Sequence, residues 1–221
     1  GGEVQRTVLA RTLALKPDIL LLDEPLASLD VQYKRELQSL LRKLNEEGQT
    51  IVHVTHDYEE ALALANRVAV MNKGRIIQEG EVHEVFRNPR NKFTADFAGI
   101  RNFFTAEIEE EPGSSHKKAM INDQIGFFIT VDIPTGEKRI VTIEAKNIIL
   151  SREKVDSTAL NNFQGKISDV IPVTEGLEII VDIGVKIAVV VTEKSYKTFE
   201  LEKGKHVWLS FKASAVKIQE Y

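Results

Sequence analysis

Ile19 to Asp30, ILLLDEPLASLD, runs four apolar residues straight into two adjacent carboxylates and a proline. An apolar run of this length suits a strand buried on both faces, as in a parallel sheet covered by helices. Pro25 has no N–H to give to a ladder, so the strand is predicted to stop there. Asp23 and Glu24 then stand at the carboxyl end of a central strand, where open α/β sheets bind their ligands. Successive strand residues face opposite ways, so the two carboxylates can do different work. One suits Mg2+, held largely through water; the other can orient and polarise an attacking water. Taken alone, an Asp-Glu pair reads first as a solvated strand end, and it is the neighbouring sequence that overturns this.

Upstream, Gly1-Gly2-Glu3-Val4-Gln5-Arg6 opens a run to Leu15 with apolar residues at Val4, Val8, Leu9, Leu13 and Leu15, close to helical spacing. Unpaired N–H groups at such a glycine-led helix end favour an anion. Downstream, Val31 to Glu47 is an amphipathic helix with Leu37, Leu40, Leu41 and Leu44 on one face, closed by Gly48. Thr50 to Val54 is a short strand that delivers His56 and Asp57 at its tip. Tyr58 to Ala65 reads as a helix, and Arg67 to Met71 with Arg75 to Gln78 as a hairpin around Asn72-Lys73-Gly74. Short helices at Glu81 to Phe86 and Phe93 to Phe97 flank Asn88-Pro89.

In order, GGEVQR, Asp23-Glu24, Ser28-Leu29-Asp30 and Val54-Thr55-His56-Asp57 resemble the signature motif, Walker B, D-loop and H-loop of an ATP-binding cassette (ABC) transporter ATPase. The resemblance covers about the first hundred residues and implies ATP and Mg2+ as cofactors. By it, Gly1, Gly2 and Gln5 meet the γ-phosphate held by an opposite subunit, and Asp23 holds Mg2+. Glu24 acts on the attacking water, His56 senses the γ-phosphate, and Asp30 communicates across a homodimer. Integral-membrane permease subunits, and indirectly a periplasmic or extracellular binding protein, are the implied partners. The implied location is peripheral, on the cytoplasmic face of the cell membrane.

No G-x-x-x-x-G-K-[ST] phosphate loop and no Q-loop occur in the 221 residues, and the usual serine before the signature glycines is missing. The sequence therefore looks like the carboxyl-terminal part of a longer polypeptide, one not expected to bind or hydrolyse ATP competently alone. A net charge of -4 gives no reason to expect a nucleic-acid surface. With no cysteine, disulfides and thiolate metal sites are excluded, which fits a reducing cytoplasm. No apolar run approaches the roughly 20 residues that cross a bilayer.

Around Gly99 to Phe104 the helical pattern gives way to short β runs: 127–133, 139–143, 148–150, 165–171, 177–183, 186–191 and 206–211. Pro134-Thr135-Gly136, Glu175-Gly176 and Lys203-Gly204 mark turns between them. Glu109 to Lys118, polar and holding Pro and Gly, reads as a mobile hairpin loop. The fold class expected is α/β for residues 1–100, a partial P-loop NTPase, followed by an all-β small barrel over residues 101–221.

Asn162 to Ile218, with Ser157-Thr158-Ala159-Leu160-Asn161 before it, resembles the TOBE and molybdate-binding (Mop) domain family. That resemblance implies an OB-like barrel in which Ser157, Thr158, Asn161, Lys212 and Ser214 hold molybdate or tungstate as a regulatory ligand. A dianion needs cations, hydroxyls and free N–H groups. The family's arginine is Leu160 here, and leucine offers no cationic donor. The implied protein is the ATPase subunit of a molybdate/tungstate importer. A non-catalytic oxyanion-binding module, or the ATPase of a sulfate, iron or polyamine importer, stays open beside it.

Overall fold

The computed structural model describes residues 2–15, 17–27, 29–114 and 116–220, with residues 2–6 and 9 described by backbone alone. Its first unit begins with α1 (Gly2–Ala14), β1 (Ile19–Asp23), α2 (Val31–Glu46) and β2 (Thr50–Val54). β1 and β2 pair in parallel from Ile19↔Thr50 to Asp23↔Val54, so the two strand tips end side by side. Leu37 and Leu41, one helical turn apart on α2, pack with Leu20 and Leu26 into a small buried core. Leu13 of α1, Leu22, Ile51 and Leu64 lie against it, half-buried.

The expected burial on both faces of β1 is not what the chain shows. Leu20 is fully buried, whereas Ile19 is 55% and Leu21 73% exposed. Val52 and Val54 on β2 are about as open. The reason is geometric: among the described residues this sheet has two strands, and the core cluster lies on one face of it. The first unit continues with α3 (Tyr58–Leu64), then β3 (Arg67–Asn72) and β4 (Arg75–Glu81), then α4 (Val82–Arg87). The β3–β4 turn is Lys73-Gly74, both at positive φ (48° and 74°), the two-residue geometry that matches strand twist.

Contacts divide the chain between Arg87 and Asn88, ahead of the boundary expected at 100/101. α5 (Lys92–Phe97) belongs to the second unit because it is tied forward along the chain. The Ile100 N–H donates to the Ala95 carbonyl (2.8 Å), and Lys92 Nζ donates to the Arg101 carbonyl (3.3 Å).

In the second unit the strands run β5 (Asn102–Glu110), β6 (Lys117–Met120), β7 (Gly126–Phe128), β8 (Lys138–Ile143) and β9 (Ile149–Ser151). Next come β10 (Asn161–Val173), β11 (Gly176–Asp182), β12 (Lys186–Val191), α6 (Glu193–Phe199), β13 (His206–Phe211) and β14 (Lys217–Glu220). A 3-10 turn precedes β9 (Ala145–Asn147) and another precedes β14 (Ala213–Ala215). The small barrel takes the form of two antiparallel five-stranded sheets, ordered β12-β11-β10-β13-β9 and β14-β8-β5-β6-β7. They share one core in which Phe127 meets Phe104, Phe163 and Phe211 edge-on, at 5.9, 5.5 and 5.2 Å between ring centres.

Three expectations change here. The run 127–133 is strand only through Phe128. The stretch 109–118 is ladder at both ends, with Glu109 paired to Lys118 and Glu110 to Lys117, so the loop proper is shorter. β5, β6, β14 and α6 have no counterpart among the expected β runs; β5 alternates buried and exposed residues over only part of its length.

The two sheets are built from two copies of one plan. β5, β6, β7, β8 and β9 match β10, β11, β12, β13 and β14 in order, with α6 inserted in the second copy. The last strands are exchanged: β9 pairs with β13 of the second copy, and β14 with β8 of the first. Details repeat as well. Asn102 and Asn161 open the equivalent strands β5 and β10, and both are buried. Asn102 bonds the N–H and C=O of Ala188 on β12 (2.7 and 2.8 Å), while Asn161 bonds those of Phe128 on β7 (2.7 and 3.1 Å). Each sheet thus clips the edge strand of the other, covering backbone groups that an open edge would leave bare. Among the described residues no helix is long and apolar enough to cross a membrane.

Candidate functional site

The parallel register carries β1 and β2 to a common end, and there the sequence places its chemistry. The Glu24 N–H donates to the Val54 carbonyl (3.0 Å), one step past the ladder. Glu24 itself has φ 44°, a left-handed backbone that is uncommon for a residue with a β-carbon. Pro25 and the turn after it, with Ala27 N–H on the Glu24 carbonyl (3.3 Å), hold that conformation. Strain of this kind gathers where a side chain must be aimed. The aimed carboxylate reaches His56: Nδ1 of the imidazole lies 2.9 Å from Glu24 Oε1. Both side chains are open to solvent. The hydrogen bond to Glu24, and then its charge, raise the His56 pKa above the ordinary imidazole value.

Asp23 ends β1 opposite Val54 and is exposed. Among the described residues no three His, Cys, Asp or Glu side chains converge on one point. The donor set offered is therefore a lone carboxylate beside Glu24. That fits Mg2+, which keeps several waters and takes phosphate oxygens, rather than a cation needing an all-protein cage.

Asp30 caps α2, its Oδ1 accepting from the N–H groups of Gln32 and Tyr33 (3.1 Å each). Ser28, between Glu24 and Asp30, lies outside the described residues, as does Gly1. Gly2 and Gln5 fall in α1, with the Gln5 side chain outside what is described.

A charged cluster that the motif reading passed over lies beside this site. Lys34 Nζ sits 2.6 Å from Asp57 Oδ2 and 3.6 Å from Glu60 Oε2. The hydrogen bond between Lys34 and Asp57 raises the Lys34 pKa and lowers that of Asp57. Asp57 also caps α3 through the Glu60 N–H (3.0 Å). His53 Nε2 approaches Glu60 Oε1 to 2.6 Å, off the hydrogen-bond axis. A cavity of about 200 Å3 is lined by Glu24, Leu29, Lys34, His56, Asp57 and Glu60, among others. The missed signal is Lys34 itself, a lysine three and seven residues before the buried Leu37 and Leu41, on the core-facing side of α2.

In the second unit, the pairing of Asn161 with Phe211 brings segments 157–161 and 212–214 to one end of the β10–β13 ladder. Ser157, Thr158, Lys212 and Ser214 flank that end in sequence, and Ser157, Thr158 and Ser214 are exposed there. Lys212 is exposed as well, between the buried Phe211 and Ala213. Ser157 Oγ accepts from the Ala159 N–H (3.3 Å). Asn161 differs: it is buried, with both polar ends engaged by Phe128, so its geometry is that of a barrel clip rather than a ligand donor. The duplication also relocates the missing cation. Leu160 precedes Asn161, and the residue in the same place before Asn102 is Arg101. Arg101 is already matched by Glu178, Nε to Oε2 at 3.4 Å, and that carboxylate is buried. Lys212 has Glu144 as its counterpart, ion-paired to Lys217 (2.6 Å) and Lys146 (3.0 Å).

The family model for the TOBE domain matches residues 157–218. The molybdate/tungstate import ATP-binding protein WtpC of Pyrococcus abyssi is 36% identical over 220 residues, taking in 99% of this chain and 61% of that protein. Its namesake in Thermococcus kodakarensis is 39% identical over 168 residues, 76% of this chain and 48% of that protein. The spermidine/putrescine import ATP-binding protein PotA of Roseobacter denitrificans is 37% identical over 172 residues, 76% of this chain and 46% of that protein. A solved structure of the cytoplasmic molybdate-binding protein ModG, with molybdate bound, aligns at TM-score 0.49 and 15% identity over 55% of this chain and 97% of that one. The chain is thus homologous to import ATP-binding proteins and carries a TOBE domain, and it spans about three-fifths of the length of its P. abyssi relative.

Proposed function

We propose that the chain is the carboxyl-terminal portion of the ATP-hydrolysing subunit of an ABC importer, most like the molybdate/tungstate group. What carries this reading is the Glu24–His56 contact at adjoining strand tips, 2.9 Å long and built on a strained backbone at Glu24. In it, Glu24 draws a proton from the attacking water as the γ-phosphate leaves, and His56 holds the Glu24 carboxylate in line. Asp23 would hold a magnesium ion, whose positive charge would act on the phosphate oxygens. The amino end of α1, with Gly1, Gly2 and Gln5, meets the γ-phosphate bound by a second copy, and Asp30 faces the dimer partner. Permease subunits in the membrane receive the motion, with the protein on the cytoplasmic face. Because the 221 residues hold no phosphate loop, ATP turnover belongs to a polypeptide that supplies one. In that longer protein Glu24→Gln is expected to leave ATP binding intact and lower turnover about 100-fold or more. Retained turnover would remove Glu24 from its role.

The match of residues 157–218 to the TOBE domain favours a second reading, an oxyanion-binding module with regulatory rather than catalytic work. Calorimetric titration of the chain with tungstate, molybdate and sulfate tests it. Selective binding of the first two supports the module and an importer throttled by its cargo. Absence of heat with all three leaves the barrel a structural appendage and the cargo open among oxyanions, iron and polyamines.

A further inference from the structure

The geometry points to Lys34 as a positioning residue that couples the cap of α2 at Asp30 to His56, through Asp57. The inference rests on the ATPase reading above and adds a residue to it. Asp30 and Lys34 are one helical turn apart, and the Lys34 N–H donates to the Asp30 carbonyl at 2.8 Å. Since Asp30 also caps the helix through Gln32 and Tyr33, any displacement of Asp30 carries the first turn of α2 with it.

Lys34 then reaches out of its helix to the residue next to His56. Its ammonium meets Asp57 Oδ2 at 2.6 Å and Glu60 Oε2 at 3.6 Å. Asp57 has two further ties that fix where it stands. It caps α3 through the Glu60 N–H, and its own N–H donates to Thr55 Oγ1 (3.0 Å). His56 lies between Thr55 and Asp57, so its backbone is spanned by that turn. Glu60 in turn meets His53, three residues before His56 on β2. The groups facing Lys34 are thus Asp57 at the cap of α3 and Glu60 in its first turn, and the pair bracketing His56 is anchored on both sides.

The chain of contacts reads Asp30, Lys34, Asp57, His56, Glu24, and Lys34, Asp57, His56 and Glu24 border one cavity. A salt bridge with about a third of each partner exposed contributes little to stability by itself. Its value lies in direction: an ammonium fixed on a rigid helix sets where the Asp57 loop sits.

The test uses the longer protein that supplies the phosphate loop, with ATP turnover, the KM for ATP and the unfolding midpoint measured together. Lys34→Met is expected to lower kcat about tenfold with KM for ATP within about twofold, and Lys34→Arg to restore most of kcat. Asp57→Asn keeps the helix cap but removes the charge; it and the Lys34→Met/Asp57→Asn double variant are expected to fall by the same factor as Lys34→Met. Factors that multiply in the double variant would show two independent roles and overturn the coupling. So would a loss of kcat that Lys34→Arg does not restore, or one matched by a lowered unfolding midpoint. Glu24→Gln, run alongside, separates the two levels. If it suppresses turnover while Lys34→Met does not, the coupling fails and the ATPase reading stands; if the parent protein itself shows no ATP turnover, the ATPase reading fails.

Discussion

Glu24 combines a functional side chain with a backbone that glycine would adopt more readily. A left-handed conformation costs a residue with a β-carbon about 1–2 kcal/mol, and φ at Glu24 is 44°. Replacing it by glycine removes that strain, while glycine gives back about 0.4–1 kcal/mol through the freedom of the unfolded chain. Glu24→Gly is therefore expected to be more stable than Glu24→Ala by about 0.5–1 kcal/mol. Urea unfolding followed by far-ultraviolet circular dichroism, in the transition of the first unit, measures the difference. A glycine variant less stable than the alanine one by about 0.4–1 kcal/mol would mean the turn carries no strain at this residue. At this scale the sequence was informative where residue type and strand tip coincided, as at Asp23, Glu24 and His56. Lys34 was passed over although it shares the stripe of Leu37 and Leu41, because the partner that makes a lysine useful there, Asp57, lies 23 residues away and only the fold brings it near.

Among the elements, strands with a full apolar run or a clean alternation were legible, and those defined by their partners were not. β2 and β12 have the bounds their residues suggest. β14 is a strand because β8 offers it a ladder, a fact no local pattern contains. The duplication was hidden for a similar reason. Few residues repeat, among them Asn102 with Asn161, Phe104 with Phe163 and Ile108 with Ile167, and α6 breaks the spacing of the second copy. What the copies share is hydrogen bonding. The Ile108 carbonyl accepts from Gly136 (2.8 Å) as that of Ile167 does from Gly204 (2.8 Å), with both glycines at positive φ. The asparagine clips make this testable. Asn102→Leu leaves the backbone of buried Ala188 without these partners, and Asn161→Leu does the same to Phe128, which is half-buried. Each loss is expected to cost about 1–3 kcal/mol, more at Asn102 because water reaches Phe128 more easily. Trp208, the one tryptophan, reports from β13 in urea unfolding. Two variants within about 0.5 kcal/mol of the parent would show that the clips are incidental.

For the second unit as a whole, the exchanged strands decide whether it behaves as two small domains or one. If β9 and β14 paired within their own copies, each half would close on itself, and the stretch 152–160 would be a tether between separable bodies. Instead β9 completes the sheet of the second copy through Trp208↔Ser151 to Ser210↔Ile149, and β14 completes that of the first through Lys217↔Thr142 to Glu220↔Arg139. The core is common too: Phe127 of the first copy packs on Phe163 and Phe211 of the second. Separating the halves would strip a strand from each sheet and expose that aromatic cluster, at about 25 cal/mol for every Å2 of apolar surface. The connecting stretch, by contrast, is exposed from Arg152 to Thr158, which makes it a place where the chain can be cut without disturbing a ladder. A specific protease site inserted between Asp156 and Ser157 is therefore expected to yield two fragments that stay together. On gel filtration they should elute as one species at the volume of the uncut chain, and part only in denaturant. Fragments that separate in native buffer would mean that the halves close on themselves, and that the strand exchange does not hold the barrel together.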